Sequence, residues 1–237
     1  MCIYIYNLRL NVHTCRWCTG KLDYSTGRFV EDSRGIVDYG FDVYAPQTFV
    51  GKSAIMGWLN MWDRNVPSAK YGFAGMLTTA RKVTVKDGIL YQEPIVNCEE
   101  VFKATVCDKL EDKAKIGVIT IKATDLESLE LIIRSNGTNY TKLELKNGEW
   151  VFDRSKSGEA ISGVEKDEDS INGIRRMPYS RKKEVTLTVV MDEFSVEIFE
   201  DGRSLTSTIY PPDGAENISL TVEAESCCYE RADIVLK

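Results

Sequence analysis

Residues 38–49 read DYGFDVYAPQTF, and residues 57–62 read GWLNMW. In the first segment apolar side chains alternate with small or polar ones from Asp38 to Asp42, which is typical of a half-buried β-strand. The two segments also place aromatic rings next to Asp and Gln. Sugar-binding surfaces use this combination, because a ring packs on the C–H face of a sugar while carboxylates and amides bind its hydroxyls. An equally open alternative is that Tyr39, Phe41 and Tyr44 point into a barrel or propeller core.

The rest of the chain repeats this strand pattern between tight turns. The dipeptides Asp87-Gly88, Asn136-Gly137, Asn147-Gly148 and Asp201-Gly202 border runs that are rich in Val, Ile, Leu and Thr. Such dipeptides adopt the positive φ angles that two-residue hairpins need, so they predict antiparallel strands. Beyond residue 115 the strands recur at intervals of about 8 to 12 residues, which is typical of a β-sandwich. The sequence therefore predicts an all-β protein.

One segment breaks the strand pattern. Residues 97–106 (NCEEVFKATV) begin with Asn, which is a good N-cap residue, and continue with two acids and with apolar side chains at helical spacing. This pattern predicts a short linker helix within residues 96–114. We accordingly place one domain at residues 1–95 and a sandwich domain at residues 115–237.

Composition limits the classes of partner. The chain has 237 residues, of which 43% are hydrophobic, and this is enough for a sizeable core. Its net charge is -6 and its Lys and Arg residues are interspersed with acids, so a nucleic-acid partner is not expected. The apolar N-terminal run is interrupted at Asn7 and Arg9, and no run is long enough for a transmembrane helix. We therefore expect no membrane partner, and a cytoplasmic protein.

The seven cysteines do not form a disulfide framework, because their number is odd and they are scattered. His13, Cys15 and Cys18 could supply most of a zinc site, since the two cysteines have Cys-x-x-Cys spacing. No second pair completes four ligands, and the neighbours Cys227 and Cys228 would face opposite sides of a strand. We expect free thiols in a reducing compartment, with no metal and no cofactor.

Short motifs across the chain carry a family resemblance. They are KLDY at 21–24, DYG at 38–40 with Asp42, YA at 44–45, QTF at 47–49, GWL at 57–59, GML at 75–77, DGIL at 87–90, DRS at 153–155 and DEFSVEIF at 192–199. From about residue 20 onward, their order and spacing resemble glycoside hydrolase family 32, which includes invertases, levanases, inulinases and sucrose-6-phosphate hydrolases. Residues 1–19 do not resemble the family.

The resemblance implies a five-bladed β-propeller with a C-terminal β-sandwich against its side, so that this chain supplies the end of the propeller and the whole sandwich. It also implies that two carboxylates cleave terminal fructosides with retention. The family carries these acids in a Trp-Met-Asn-Asp-Pro-Asn-Gly type segment and a Glu-Cys segment, with a stabilising acid in an Arg-Asp-Pro segment. None of the three occurs in this sequence. We therefore expect no catalytic residue in this chain, which alone should be inactive.

The resemblance further implies sugar contacts at four positions. Asp38 resembles a carboxylate that contacts the leaving-group sugar, and Trp58 resembles an aromatic residue that lines the fructose subsite. Tyr44 and Gln47 belong to the same motif and either touch sugar or brace the blade. The alternative for Asp38 is a turn carboxylate that accepts a hydrogen bond from the Gly40 amide, and for Trp58 it is a buried blade residue.

Two function hypotheses remain in contention, ahead of a zinc-bearing domain. The first is the C-terminal part of a β-fructofuranosidase-type glycoside hydrolase, with a fructose-containing saccharide as its ligand. The second is a non-catalytic sugar-binding or association module. An incomplete propeller leaves open sheet edges, which favour a partner. That partner would be the missing propeller half or a second copy of the chain.

Overall fold

The computed structural model describes residues 2–9, 13–163 and 165–235, and these form three antiparallel sheets. The first sheet has the order β1-β2-β3. Its strands are β1 (Cys2–Arg9), β2 (His13–Asp23) and β3 (Arg28–Ile36). Among the described residues, no helix is long and apolar enough to cross a membrane.

The second sheet contains residues 43–48 and 57–59 of the two aromatic segments, and its order is β4-β5-β7-β8, with β6 paired to β5. Its strands are β4 (Val43–Thr48), β5 (Ala54–Leu59), β6 (Met76–Leu77), β7 (Arg81–Lys86) and β8 (Ile89–Pro94). A 3₁₀ helix, Pro67–Tyr71, lies between β5 and β6. The first two sheets share a small core of Cys15, Trp17, Val37, Ile55 and Leu90.

The third sheet has ten strands and forms the sandwich. They are β9 (Cys98–Thr105), β10 (Lys109–Lys113), β11 (Gly117–Ser135), β12 (Thr141–Lys146), β13 (Glu149–Asp153), β14 (Ile174–Pro178), β15 (Glu184–Met191), β16 (Ser195–Glu200), β17 (Arg203–Thr208) and β18 (Asn217–Ile234). One short helix, α1 (Glu168–Ile171), precedes β14.

Strand β11 makes this sheet into two layers because it changes partners along its length. Residues 117–124 pair with β15, whereas residues 129–133 pair with β12. A register shift against β18 lies between Leu126 and Ser128, next to Asp125, whose φ is 47°. A bulge of this kind bends a strand, so the two halves of β11 belong to opposite layers. Between the layers lies a core that includes Ile119, Leu131, Trp150, Phe152, Val189, Ile198, Leu220 and Tyr229.

The turn dipeptides behave as expected at three of the four positions. Both residues have positive φ in Asp87-Gly88, Asn147-Gly148 and Asp201-Gly202, which join β7 to β8, β12 to β13 and β16 to β17. At Asn136-Gly137 only the glycine has positive φ, and the Asn136 side chain accepts hydrogen bonds from the amides of Thr138 and Asn139. The all-β prediction is confirmed.

The predicted linker helix is wrong. Residues 98–105 form strand β9, which pairs with β18 from Cys98 against Ile234 to Thr105 against Cys228. Residues 109–113 form β10, which pairs with the other half of β18. The edge of β18 supplies backbone hydrogen-bond partners for strands β9 and β10. An isolated ten-residue helix, even with an N-cap, gains too little free energy to compete. The Phe102 ring also meets the Tyr229 ring edge-on, with centroids 6.0 Å apart.

Candidate functional site

Three aromatic side chains form a cluster at one end of the second sheet. Tyr44 at the start of β4 pairs with Trp58 near the end of β5, and Trp62 follows beyond the strand. The ring centroids of Tyr44, Trp58 and Trp62 are 5.6 to 6.3 Å apart, and each pair meets edge to face. Trp62 is 73% exposed and the other two rings are half-buried. We call these three residues the aromatic wall.

Gly75 leaves room for the Trp58 ring of the aromatic wall. Its φ is 81°, and a Cβ at this position would overlap the indole of Trp58. Glycine is therefore required both by the backbone conformation and by the close approach of the ring. The GML motif at 75–77, which carries part of the family resemblance, thus has a packing role behind Trp58.

Gln47 lies beside the wall. It is exposed, and together with Trp58 it lines a shallow, mainly apolar hollow of about 380 Å³, whose other residues include Phe49, Met56 and Leu77. The structure therefore brings together three of the four predicted sugar-binding residues, namely Tyr44, Gln47 and Trp58. Sequence reasoning omitted Trp62, which lies in the turn that follows β5.

Asp38, the fourth predicted residue, is not part of the wall. Its carboxylate is buried and accepts five hydrogen bonds, all at 2.8 to 3.0 Å. The donors are the Gly40 and Thr206 amides, the Ser204 and Thr206 hydroxyls, and Arg81. This arrangement matches the alternative reading of a turn carboxylate bound to the Gly40 amide, and it adds a link to β17 of the sandwich. The geometry gives Asp38 a structural role, and a sugar contact at this residue stays a prediction.

Arg81 is the centre of this link. It is 1% exposed, and its guanidinium contacts Asp38 at 3.0 Å and Glu197 of β16 at 2.7 Å. It also donates to Gln92, Ser204 and Thr206 and lies 5.2 Å from the centre of the Phe199 ring. Arg81 thereby joins the second sheet to two strands of the sandwich through charge-assisted hydrogen bonds.

Asp42 forms a second buried link, four residues further along. Its carboxylate contacts Arg64 at 2.6 Å and Arg154 at 2.9 Å, and it accepts from the amide and hydroxyl of Thr208 at 2.7 and 2.9 Å. Burial on its own raises the pKa of Asp42, but the two guanidinium groups and the Thr208 hydrogen bonds outweigh it, so that the pKa lies below its ordinary value. Asp42 is therefore a fixed anion at neutral pH.

Phe41, which lies between Asp38 and Asp42 in the sequence, has three guanidinium groups against its ring. The guanidinium carbons of Arg154, Arg175 and Arg64 are 3.8, 4.3 and 5.4 Å from the centre of the ring. Burial, together with the neighbouring cations Arg64 and Arg175, lowers the pKa of Arg154 to about 10, although Asp42 acts in the opposite direction. Such a cluster is stable only while a carboxylate neutralises it.

The backbone of residues 38–42 also contacts the sandwich. The amides of Tyr39 and Phe41 donate to the carbonyls of Ser204 and Thr206 at 2.8 and 3.0 Å, so residues 38–42 run beside β17. A Cβ on Gly40 would overlap the Thr206 backbone, which explains the glycine of the DYG motif. Sequence reasoning found this motif but missed its partners, because they lie more than a hundred residues away.

These acids cannot serve as a catalytic pair in this arrangement. A retaining glycosidase needs one carboxylate as nucleophile and another as acid and base, both facing the substrate. Asp38, Asp42 and Glu197 are all buried, and each is bonded to at least one guanidinium group. Burial raises the pKa of Glu197, with Arg81 acting against it, but the Arg81 and Thr79 contacts occupy both of its oxygens.

The structure describes the side chains of two of the three proposed zinc ligands, Cys15 and Cys18. The side chain of His13 lies outside the described residues. Cys15 lies in the core beside Trp17 and Val37, and burial raises the pKa of its thiol to about 12. Within the part of the chain that the structure describes, no group of three or more His, Cys, Asp or Glu side chains could hold a metal ion.

Two family models match the chain. Residues 2–94 match the glycosyl hydrolases family 32 N-terminal domain, and residues 100–234 match the glycosyl hydrolases family 32 C-terminal domain. The first match extends into residues 2–19, which the sequence analysis left outside the resemblance. The second includes strands β9 and β10, in agreement with their place in the sandwich sheet.

Individual relatives agree with these models. A sucrose-6-phosphate hydrolase of Escherichia coli is 28% identical over 210 residues, and a raffinose invertase of Escherichia coli is 31% identical over 214 residues. Each match covers 86% of this chain and 43% of the relative, so the chain spans less than half the length of these curated relatives. The crystal structure of an exo-inulinase from Aspergillus awamori superposes with a TM-score of 0.81 at 18% identity, covering 98% of this chain and 53% of that one.

The structural similarity confirms the predicted architecture, which is the end of a β-propeller followed by a β-sandwich. The two family models together account for nearly all of the chain, in the order N-terminal domain and then C-terminal domain. On these matches, the chain belongs to glycosyl hydrolases family 32.

Proposed function

We propose that this chain forms the sandwich and part of the propeller of a β-fructofuranosidase-type glycosidase that cleaves terminal fructosides such as sucrose or fructans. The observation that carries the proposal is the match of both family models along one chain. Two relatives are named as a sucrose-6-phosphate hydrolase and a raffinose invertase, and both names refer to fructosides. This supports a fructose-containing saccharide as the ligand.

In this proposal the aromatic wall contacts the sugar. Trp58 and Tyr44 present ring faces and edges at the open end of the second sheet, and Gln47 supplies a nearby amide. Rings of this kind pack on the C–H groups of a sugar, while an amide can both donate to and accept from its hydroxyls. Asp38 and Asp42 hold the wall in place by binding residues 38–42 to the sandwich.

The chemistry would come from carboxylates outside this chain. Double displacement requires two of them about 5 Å apart on either side of the scissile bond. Asp38 and Asp42, the two acids of the motif that precedes the wall, are paired with arginines. We therefore expect the purified chain to release no glucose from sucrose and no fructose from inulin above the uncatalysed background. Robust turnover would contradict this expectation and would locate the nucleophile within these 237 residues.

Trp58→Ala is expected to weaken the binding of fructose by about tenfold, because it removes one ring face and its buried apolar area. Ligand-detected NMR is the suitable measurement, since the substitution also removes an indole that would otherwise report binding. Tyr24→Ala is the matched control, because Tyr24 is 85% exposed in a hairpin away from the wall. Equal affinity of the wild type and Trp58→Ala would exclude the wall as the sugar contact.

A second candidate function is association without sugar binding, and one observation favours it. Leu77 of β6 and Val50 and Trp62, which lie in turns next to β4 and β5, are large apolar residues that are at least 61% exposed. Exposed apolar residues that form a contiguous patch mark an interface. The partner would be the remaining propeller part or a second copy of the chain, and sedimentation of the chain alone and with added propeller segment distinguishes the two.

A further inference from the structure

Strand β6 and the residue after it hold the backbone next to Trp58. Leu77 pairs with Trp58 across the β5–β6 ladder. Thr78 follows, and it binds both backbone groups of Gly57. Its amide donates to the Gly57 carbonyl at 2.9 Å, and its hydroxyl accepts from the Gly57 amide at 3.0 Å. The peptide groups on both sides of Gly57 are therefore fixed, and the second of them leads into Trp58.

The hydroxyl of Thr78 has a defined orientation. Besides accepting from Gly57, it donates to the Thr79 carbonyl at 2.8 Å, so its single proton and one of its lone pairs are both used. Thr78 is only 3% exposed. Because the contact is buried, a Gly57 amide that lost this acceptor would stay unpaired.

Glu197 of β16 anchors the same segment from the sandwich. One of its carboxylate oxygens accepts from the Thr79 amide at 2.5 Å, and the other contacts Arg81 at 2.7 Å. Glu197 is 2% exposed, so water does not compete for either contact. Hydrogen bonds to a carboxylate are stronger than those between neutral groups. The sandwich thereby fixes the backbone of Thr79, and with it that of Thr78.

At its other end this segment packs against the indole of Trp58. A Cβ built on Gly75 would lie 2.3 Å from the indole nitrogen, so ring and backbone are in close contact. The Trp58 ring in turn meets the Trp62 ring with 5.9 Å between their centroids. Protein interiors are close-packed, so a displacement of residues 75–79 is passed on to the ring. The geometry of the aromatic wall therefore depends on this segment.

We propose that Thr78 is a positioning residue for the Trp58 ring, and that Glu197 fixes the position of Thr78 from the sandwich. Thr78 is buried and acts through the Gly57 backbone and through the contact between Gly75 and the indole. The consequence for sugar affinity rests on the proposed function, in which Trp58 packs on the saccharide. In this proposal the sandwich contributes to binding by holding a ring that belongs to another sheet.

The test compares Thr78→Val, which keeps the shape of the side chain without its hydroxyl, with Thr78→Ser, which keeps the hydroxyl. The chain has four tryptophans, and a proton–nitrogen NMR spectrum resolves their indole signals, of which Trp58→Phe identifies one. Thr78→Val is expected to move the Trp58 signal and to leave those of Trp17 and Trp150, which lie in other cores. Thr78→Ser is expected to restore it. Thr84→Val, at an exposed threonine of β7, is the matched control.

Fructose affinity, followed by ligand-detected NMR, gives the second measurement. Thr78→Val is expected to weaken binding by about threefold, less than Trp58→Ala does, because the ring is displaced but not removed. Thr78→Ser is expected to bind like the wild type. Glu197→Met removes both acceptor oxygens, so it is expected to move the Trp58 indole signal in the same way as Thr78→Val.

The outcomes separate this proposal from the proposed function. An unmoved Trp58 signal in Thr78→Val overturns the proposal, and so does a shift of every indole signal, which indicates a general loss of structure. An unmoved signal in Glu197→Met overturns the part assigned to the sandwich. Should that variant fail to fold, Glu197→Asp replaces it, because it shortens the reach to Thr79 and keeps the charge. Fructose affinity that Trp58→Ala leaves unchanged would contradict the proposed function alone, since the indole signal still decides whether Thr78 positions the ring.

Discussion

Arg81→Met is expected to lower the free energy of unfolding by about 3 to 5 kcal/mol. Methionine fills a similar volume but leaves Asp38 and Glu197 as buried carboxylates without their cation. Removing one partner of a buried ion pair is costly, because the other charge stays in a low-dielectric environment. The measurement is urea unfolding at pH 7, followed by Trp fluorescence and by circular dichroism.

Lys82→Met provides the matched control for Arg81→Met. Lys82 is the next residue of β7, and its pair with Glu93 has side chains that are 60% and 69% exposed. An exposed pair contributes at most about 1 kcal/mol, since water solvates both ions whether or not they meet. Similar losses in the two variants would mean that the buried cluster is not the link between the second sheet and the sandwich.

Asp42→Asn is expected to lower the free energy of unfolding by a similar amount, about 3 to 5 kcal/mol, because it removes a buried anion where Arg81→Met removes a buried cation. The substitution keeps the shape of the side chain but removes the anion that neutralises Arg64 and Arg154. With Arg175 over the same Phe41 ring, three buried guanidinium groups would then face one another with less compensation. Urea unfolding again gives the measurement, and Asp233→Asn is the control because that carboxylate is 60% exposed.

The stability that Asp42 supplies should depend on pH with a definite sign. Its pKa in the folded protein lies below the ordinary value of 3.8, so the folded state binds its proton less readily than the unfolded state does. The contribution is therefore complete above the ordinary value and disappears as the pH falls through the lower folded pKa. The difference in unfolding free energy between wild type and Asp42→Asn should shrink below about pH 4. A difference that stays constant down to pH 2 would contradict this assignment.

Much of the fold could be predicted from the sequence because its signals are local. Positive φ at Asp87, Asn147 and Asp201, each followed by Gly, needs only two neighbouring residues, and it defined three hairpins. The alternating and β-branched runs beside these turns likewise predicted strands from residues that are close together in the sequence. The motifs that carry the family resemblance are also short stretches of continuous sequence, so the family could be recognised without coordinates.

The errors and omissions have one physical origin, which is contact between distant residues. Residues 97–106 have a local helix pattern, but residues 98–105 form strand β9 because they pair with the edge of β18. This partner lies more than a hundred residues further along the chain, so no local pattern could reveal it. The same distance hid the role of Asp38, whose partners Ser204 and Thr206 are 166 and 168 positions away. No local pattern marks an acid as buried when its partner arginine belongs to another strand.

The sequence by itself thus determined the all-β class, three hairpins and the family, since each depends on residues within a few positions of one another. Only the tertiary structure decided which polar residues face a ligand and which hold the molecule together. Asp38 and Asp42 share a motif with Tyr44 and Gln47, yet the arginines and hydroxyls that desolvate and neutralise them come from β7 and from the sandwich. Burial and charge pairing are properties of the assembled fold, and they separate binding residues from structural ones.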